Sequence, residues 1–251
     1  MTVSVEPIVT ADLPIPRAYA LRGSLTGVFR AHCLAFVVKH PRAGAVLVDT
    51  GFHPDARSDL RRDFGLRMSL LFRAIRPARD PFDEQLRAAG VEPREVERVV
   101  MTHLHVDHTS GMRLLPNARF TCTRAEWRAA TGSGAGGRGY VAHHLPPEQR
   151  MDLLELDGEH DLLGDGSVRL VPTPGHTPGH MSVLLSTATH GRVMLVGDAA
   201  YTRENVAEQR LPLLVADGSA AARSLRELAA LDPDVTLIPS HDPTAWEELR
   251  Q

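Results

Sequence analysis

Two cysteines in 251 residues, Cys33 and Cys122, are too few and too far apart for a disulfide framework. Each sits in an apolar, strand-like run, so both are expected as free buried thiols, which fits a reducing cytoplasm. An excess of one charge is also missing: 28 basic and 31 acidic residues leave a formal charge of −3, with no strongly basic run. Without basic residues gathered to neutralise phosphates, nucleic acid is not the expected partner. No apolar stretch approaches the ~20 residues that cross a bilayer, so no membrane partner is expected. The N-terminal MTVSVEPIVTADLPIPR has neither a basic start nor a continuous apolar run, so no signal peptide is read there. The expectation is a soluble protein of the cytoplasm.

The hydrophobic share of 43% can fill a substantial core, and one α/β domain over residues 1–251 fits this length. Short runs rich in Val and Leu predict strands at Cys33 to Val38, Ala45 to Val48, Arg98 to Met101, Arg119 to Cys122, Val168 to Val171, Met181 to Leu185, Val193 to Val196 and Val235 to Ile238. Asp80-Pro81 reads as an N-cap and first-turn pair opening a helix over Phe82 to Ala89, with Gly90 as its stop. Gly218-Ser219 opens another helix that ends before Pro233. Strands come both in hairpin-like pairs and separated by helices, which predicts two sheets in one layered α/β domain. The Gly-rich stretch Thr131 to Gly139 (TGSGAGGRG) reads as a mobile loop.

Five histidines and two aspartates stand out against this background. His103, His105, Asp107 and His108 crowd one hexapeptide, HLHVDH; His176 lies in PGHTPGH, Asp198 in GDA and His241 in PSHD. All offer imidazole nitrogen or carboxylate oxygen and none offers sulfur, a set that suits zinc and also cobalt, manganese or iron. Most of these residues follow a strand-like run, and Asp49 likewise ends the run Ala45 to Val48. Strand ends along one sheet edge can gather residues far apart in sequence into one cleft. Two divalent ions there would bring a bridging hydroxide towards neutral pKa and attract a carbonyl oxygen. Asp49 is the candidate acceptor for orienting one of the imidazoles.

The ordered set HLHVDH, His176, Asp198 and His241 resembles the metallo-β-lactamase superfamily over nearly the whole chain. The resemblance implies a four-layer αβ/βα sandwich with two metals at one edge of its two sheets. It implies His103, His105 and His176 on one metal, Asp107, His108 and His241 on the other, and Asp198 bridging them.

The stretch Asp198-Ala199-Ala200-Tyr201-Thr202-Arg203-Glu204-Asn205 is similar to the N-acyl-homoserine lactonases. That resemblance implies a lactone as the small-molecule substrate, opened by the bridging hydroxide, with Tyr201 as a neutral donor at the carbonyl. Asp107 is the candidate proton carrier to the leaving ring oxygen, with Asp198 or water as alternatives. Class B β-lactamases of the commonest type place cysteine where this chain has Asp198. Hydroxyacylglutathione hydrolases share the ligand set but add a C-terminal domain, and only ten residues follow His241 here. A lactonase resembling 4-pyridoxolactonase carries the same D-A-A-Y element and is the nearest alternative.

Phe64 to Ile75 (FGLRMSLLFRAI) is rich in apolar residues within a segment, 52 to 79, that joins a strand to a helix. One reading is a flap or homodimer surface that grips an acyl tail, with Phe64 and Met68 touching substrate. The other is an ordinary amphipathic helix packed on the core. His32, His40, His53, His143, His144, His160, His180 and His190 match no ligand position and are expected to be structural or on the surface.

Overall fold

The computed structural model describes residues 1–250, the side chain of Leu71 excepted. Its first sheet contains β1 (Ser4–Pro16), β2 (Val28–His40), β3 (Gly44–Val48), β4 (Arg76–Pro77), β5 (Arg98–Val100), β6 (Arg119–Thr123) and β7 (Met151–Leu154), in the spatial order β4-β1-β2-β3-β5-β6-β7. The second contains β8 (His160–Asp161), β9 (Val168–Pro172), β10 (Met181–Ser186), β11 (Arg192–Gly197) and β12 (Val235–Pro239), in the order β12-β11-β10-β9-β8. Strands β3, β5, β6 and β7 run parallel, as do β11 and β12, and the other pairings are antiparallel. The α-helices are α1 (Arg17–Ala20), α2 (Leu60–Leu71), α3 (Phe82–Ala88), α4 (Val106–Thr109), α5 (Arg124–Thr131), α6 (Arg203–Glu208) and α7 (Gly218–Ala229).

Strand alternation assigns the layers. In β2, Leu34, Phe36 and Val38 join Val183, Leu185, Val193 and Leu195 in the core between the sheets. The intervening Ala35 and Val37 pack outward with Phe82 and Leu86 of α3 and Trp127 of α5. On the other sheet, Leu184, Met194 and Val196 face Leu225 and Leu228 of α7. A strand buried on both faces reads as a continuous apolar run, which explains why these central strands were visible in sequence. The result is helix, sheet, sheet, helix: the expected four-layer αβ/βα sandwich.

The eight predicted runs all fall within strands, Met101 alone lying one residue beyond β5. The long β1 was not predicted, because Pro7, Pro14 and Pro16 argue against an interior strand. It tolerates them because β2 covers one side while β4 pairs only with Ala11 and Asp12 on the other. Helix α3 opens with Pro81 rather than Asp80 at its N-cap and has no side-chain cap. Gly90 closes it as expected, at φ 75°. Both cysteines are free and buried. Burial pushes the Cys33 thiol up to about 11 and the Cys122 thiol higher still, so both stay protonated. None of the described helices is long and apolar enough to cross a membrane.

Two expectations are corrected here. The Thr131 to Gly139 stretch ends α5 and then forms a short 3-10 turn that is tied down. Arg138 donates to the Ala129 and Ser133 carbonyls, and Gly139 accepts from the Val106 amide at 3.0 Å. Gly139 also packs closely on His105, where a Cβ would come within 3.0 Å of the ring. Phe64 does not face substrate either: it is 2% exposed, stacked on Phe52 at 5.2 Å and edge-on to Phe72 at 5.3 Å. Helix α2 bends at Gly65, beyond which Met68 and Phe72 line a cavity while Leu66 and Leu70 remain exposed. Phe64→Ala is therefore expected to cost ~3–5 kcal/mol of stability in urea unfolding, as for a buried aromatic. A loss within ~0.5 kcal/mol, typical of a surface site, would contradict this placement.

Candidate metal centre

Parallel pairing aligns Val48, Val100 and Thr121 across β3, β5 and β6, so the chain leaves these strands side by side. Asp49 follows β3, and Thr102 and His103 follow β5. In the second sheet Gly197 pairs with Pro239, so Asp198 and His241 leave β11 and β12 together. His176 comes from the loop between β9 and β10. The sheets meet at this edge, where the Met181 amide donates to the Thr102 carbonyl at 3.0 Å. Strand ends that sequence could only suggest as neighbours thus converge on one place.

The seven donors form two groups: His103, His105 and His176; and Asp107, His108, Asp198 and His241. Within each, the candidate ligand atoms all lie within 4.8 Å of one another. His176 Nε2 is 3.0 Å from His105 Nδ1. Asp198 stands between the groups: Oδ2 is 3.4 Å from His176 Nε2 and 3.2 Å from His241 Nε2, and Oδ1 is 3.3 Å from His108 Nε2. Tetrahedral ligands at ~2.0–2.1 Å from zinc stand roughly 3.3 Å apart, so these spacings fit. His103 Nε2, His108 Nε2 and Asp198 Oδ1 are buried with no hydrogen-bond partner. Buried polar atoms are seldom left unpaired, and cations are the partners that these three share. The geometry therefore fits two metal ions.

The opposite edges of the ligands are held in place. His108 Nδ1 donates to Asp49 Oδ2 at 2.8 Å, and His103 Nδ1 lies 3.2 Å from Thr102 Oγ1, which donates to the same carboxylate at 2.7 Å. Asp49 has φ 58°, a left-handed conformation uncommon outside glycine, and the Thr102 amide fixes its other oxygen at 2.8 Å. His176 Nδ1 donates to the Leu214 carbonyl at 3.1 Å and His241 Nδ1 to the His32 carbonyl at 2.5 Å. Such partners fix which nitrogen is free for metal.

Two further side chains support the site: His180, expected to be structural or on the surface, and Glu126, which sequence reasoning missed. His180 Nε2 accepts the Asp198 amide at 2.9 Å and its Nδ1 lies 2.9 Å from Thr173 Oγ1, so this structural histidine orients the backbone of Asp198. Gly197 (φ 61°) has no room for a side chain, since a Cβ would come within 2.7 Å of His180 Nε2. Glu126 of α5 is wholly buried and accepts the Leu104 and Gly179 amides. Burial raises its carboxyl above the usual range, with those amides opposing. The PGHTPGH spacing could have flagged His180. No pattern singled out Glu126.

Tyr201 lies beside both groups, with its ring 4.8 Å from the His241 ring and 5.8 Å from the His176 ring. Burial, then the charges of Asp198 and Asp107, holds its phenol well above its ordinary pKa, keeping it a neutral donor. Part of its sequence motif is architectural. Thr202 and Asn205 form a capping box that starts α6, and Glu204 pairs with Arg17. His105, Asp107, His176, Asp198 and Tyr201 line a cavity of about 560 Å³, whose other walls include Met68, Phe72, Leu213 and Leu214.

The metallo-beta-lactamase superfamily matches this chain over residues 29–241, a span that contains all seven donors. N-acyl homoserine lactonase AttM of Azorhizobium caulinodans is 32% identical over 226 residues, covering 86% of this chain and 84% of its own length. A mutant of Bacillus thuringiensis AiiA, solved with N-decanoyl-L-homoserine at its active site, shares the fold at a TM-score of 0.83 and 24% identity, covering 99% of this chain and 97% of its own. AidC, a dizinc quorum-quenching lactonase solved with a product, has a TM-score of 0.68 at 15% identity, with 96% and 88% covered.

Titration separates the two donor groups. Burial lowers His105 and His176 to about 4 and holds His103 well below its ordinary value, so these imidazoles are neutral and ready to ligate at pH 7. Burial also opposes charge on His108 and His241, but Asp198 acts on both and Asp49 and Asp107 act on His108, holding both pKa values well above the ordinary range. In the metal-free protein those two imidazoles carry protons that a metal must displace. Metal entry at the mixed group should release protons at neutral pH and tighten from about pH 6 to about pH 8, while entry at the three-histidine group should do neither. Calorimetric zinc titration in two buffers of different ionisation enthalpy measures this; two steps without proton release would contradict it.

Proposed function

We propose that this chain, which belongs to the metallo-β-lactamase superfamily, is a single metal-dependent hydrolase domain that opens the ring of N-acyl homoserine lactones. The observation that carries this reading is Tyr201, a neutral phenol beside His176 and His241 that lines a cavity with partly apolar walls. The lactonase names of its relatives support it, AttM at 32% identity among them.

His103, His105 and His176 would hold one divalent ion, Asp107, His108 and His241 the other, with Asp198 shared. Zinc is the first choice for this nitrogen and oxygen set, and a dizinc centre in AidC supports it; cobalt, manganese or iron suit the same donors. When bound, such ions polarise a carbonyl and lower the pKa of water towards neutrality.

The chain's own groups do the rest. Tyr201 donates a hydrogen bond to the lactone carbonyl, and more strongly to the oxyanion it becomes, which is the interaction that lowers a barrier. Asp107 lines the same cavity and is 9% exposed, placed to carry a proton to the ring oxygen as it leaves. Met68, Phe72, Leu213 and Leu214 supply apolar surface for the acyl chain, at up to ~0.8 kcal/mol per buried methylene. Phe72, in place of Phe64, is therefore proposed beside Met68 as an acyl contact, since both line the cavity.

Ring opening of short, medium and long N-acyl homoserine lactones, followed by proton release, tests the substrate class. Catalytic efficiency of ~10⁴ M⁻¹s⁻¹ or more, rising with chain length, is expected. Metal-loaded protein that leaves all of them intact would move the assignment to another lactone or ester. Tyr201→Phe should lower kcat by ~10²–10³, the cost of one oxyanion donor, with both metals retained. Wild-type turnover in that variant would remove Tyr201 from the chemistry. Asp198→Ala should lose metal as well as activity, and tight retention of two ions would refute its shared role.

A further inference from the structure

The three-histidine group is built from two loops that belong to different sheets. His103 and His105 follow β5 in the first; His176 lies between β9 and β10 in the second. No strand pairing joins the two loops, which meet at their base where the Met181 amide donates to the Thr102 carbonyl at 3.0 Å. The backbone of each loop also reaches one buried carboxylate: the amide of Leu104, between His103 and His105, donates to Glu126 Oε1 at 2.9 Å, and the amide of Gly179, three residues after His176, donates to Oε2 at 3.2 Å.

The clamp has further parts. Glu126 sits in the first turn of α5, whose N-cap Thr123 accepts the Glu126 amide at 3.1 Å and donates its hydroxyl to the Gly179 carbonyl at 2.8 Å. Both polar groups of Gly179 are thus held by one helix start. A side chain at 179 would collide with it, a Cβ coming within 2.1 Å of Thr123 Oγ1 and 2.2 Å of the Glu126 nitrogen. Tyr140 lies against the His105 ring, 4.9 Å between ring centres. Asp107, His108 and His241 have different supports, with Asp49 behind His108 and the His32 carbonyl behind His241.

We propose that Glu126 is a positioning residue that fixes the spacing between His103, His105 and His176 and so sets metal affinity at that position and not at the other. Only a carboxylate fits the role, because both of its oxygens must accept from backbone amides. Glutamine of the same size would turn an N–H donor towards another N–H. The inference rests on the two-metal part of the proposed function and not on the identity of the substrate.

The test is competition titration of the full-length metal-free protein with Co²⁺ and a chelator, followed by the visible absorption of the bound ion. His176→Ala identifies which of the two binding steps belongs to the three-histidine position. In Glu126→Gln and Glu126→Ala that step is expected to weaken roughly 10–100-fold, as when an outer hydrogen-bond partner of a metal site is removed, with the other step unchanged. Thermal melting of the metal-free forms supplies the structural control. Both steps at wild-type affinity would overturn the proposal. So would equal weakening of both with a lowered metal-free melting temperature, or a Glu126→Gln variant that cannot fold, since the carboxylate would then serve the fold as a whole. Wild-type protein that binds fewer than two ions would remove the two-metal reading as well, whereas absent lactone turnover alone would not touch this inference.

Discussion

Buried imidazoles and carboxylates resist being packed together without partners, and this protein packs seven of them at the meeting edge of its two sheets. Removing such groups from water is costly unless each finds a hydrogen bond or an ion. Three of their atoms find no hydrogen bond in the protein. Much of the surrounding architecture serves to hold these side chains in that state: the left-handed Asp49, the backbone carbonyls behind His176 and His241, and His180 beneath Asp198. A cation at each position would offset the cost that this scaffold sustains and would link metal binding to local stability.

Asp198 couples the halves of the site. It leaves β11 at Gly197, where no side chain fits, and its carboxylate reaches both donor groups. Three residues later Tyr201 lies near a histidine of each group, and directly after it the Thr202–Asn205 capping box starts α6. Positions of chemistry and of architecture therefore alternate along one short run. The capping box holds the backbone beside Tyr201, which would suit the donor role proposed for it, since such a donor works best with little reorganisation.

The cavity draws its walls from parts of the chain that sequence treats as unrelated. Helix α2 contributes Met68 and Phe72, the Gly-rich turn contributes Gly139, and the segment before α7 contributes Leu213 and Leu214. The same bend at Gly65 that sends Phe64 inward separates it from Met68, which lines the cavity. A run of apolar residues is thus divided between core and cavity within a few positions. Neither of the two uses expected for this segment describes it alone.

Apolar runs marked the central strands and the layered α/β class, and the ordered set from HLHVDH to His241 marked the seven candidate donors through its resemblance to a known family. Strands buried on both faces must be apolar throughout, and metal chemistry restricts its ligands to a few residue types. Strand β1 escaped, since its prolines are tolerated only because its outer neighbour β4 pairs with no more than Ala11 and Asp12. Glu126 escaped because a glutamate in a helix has no local mark of being buried. Its role exists only where Leu104 and Gly179, separated by 75 positions, present their amides to it together. Likewise, which apolar residues of Phe64 to Ile75 face the core depends on one backbone bend. Local pattern records what each residue can do, and long-range packing decides which partner it meets.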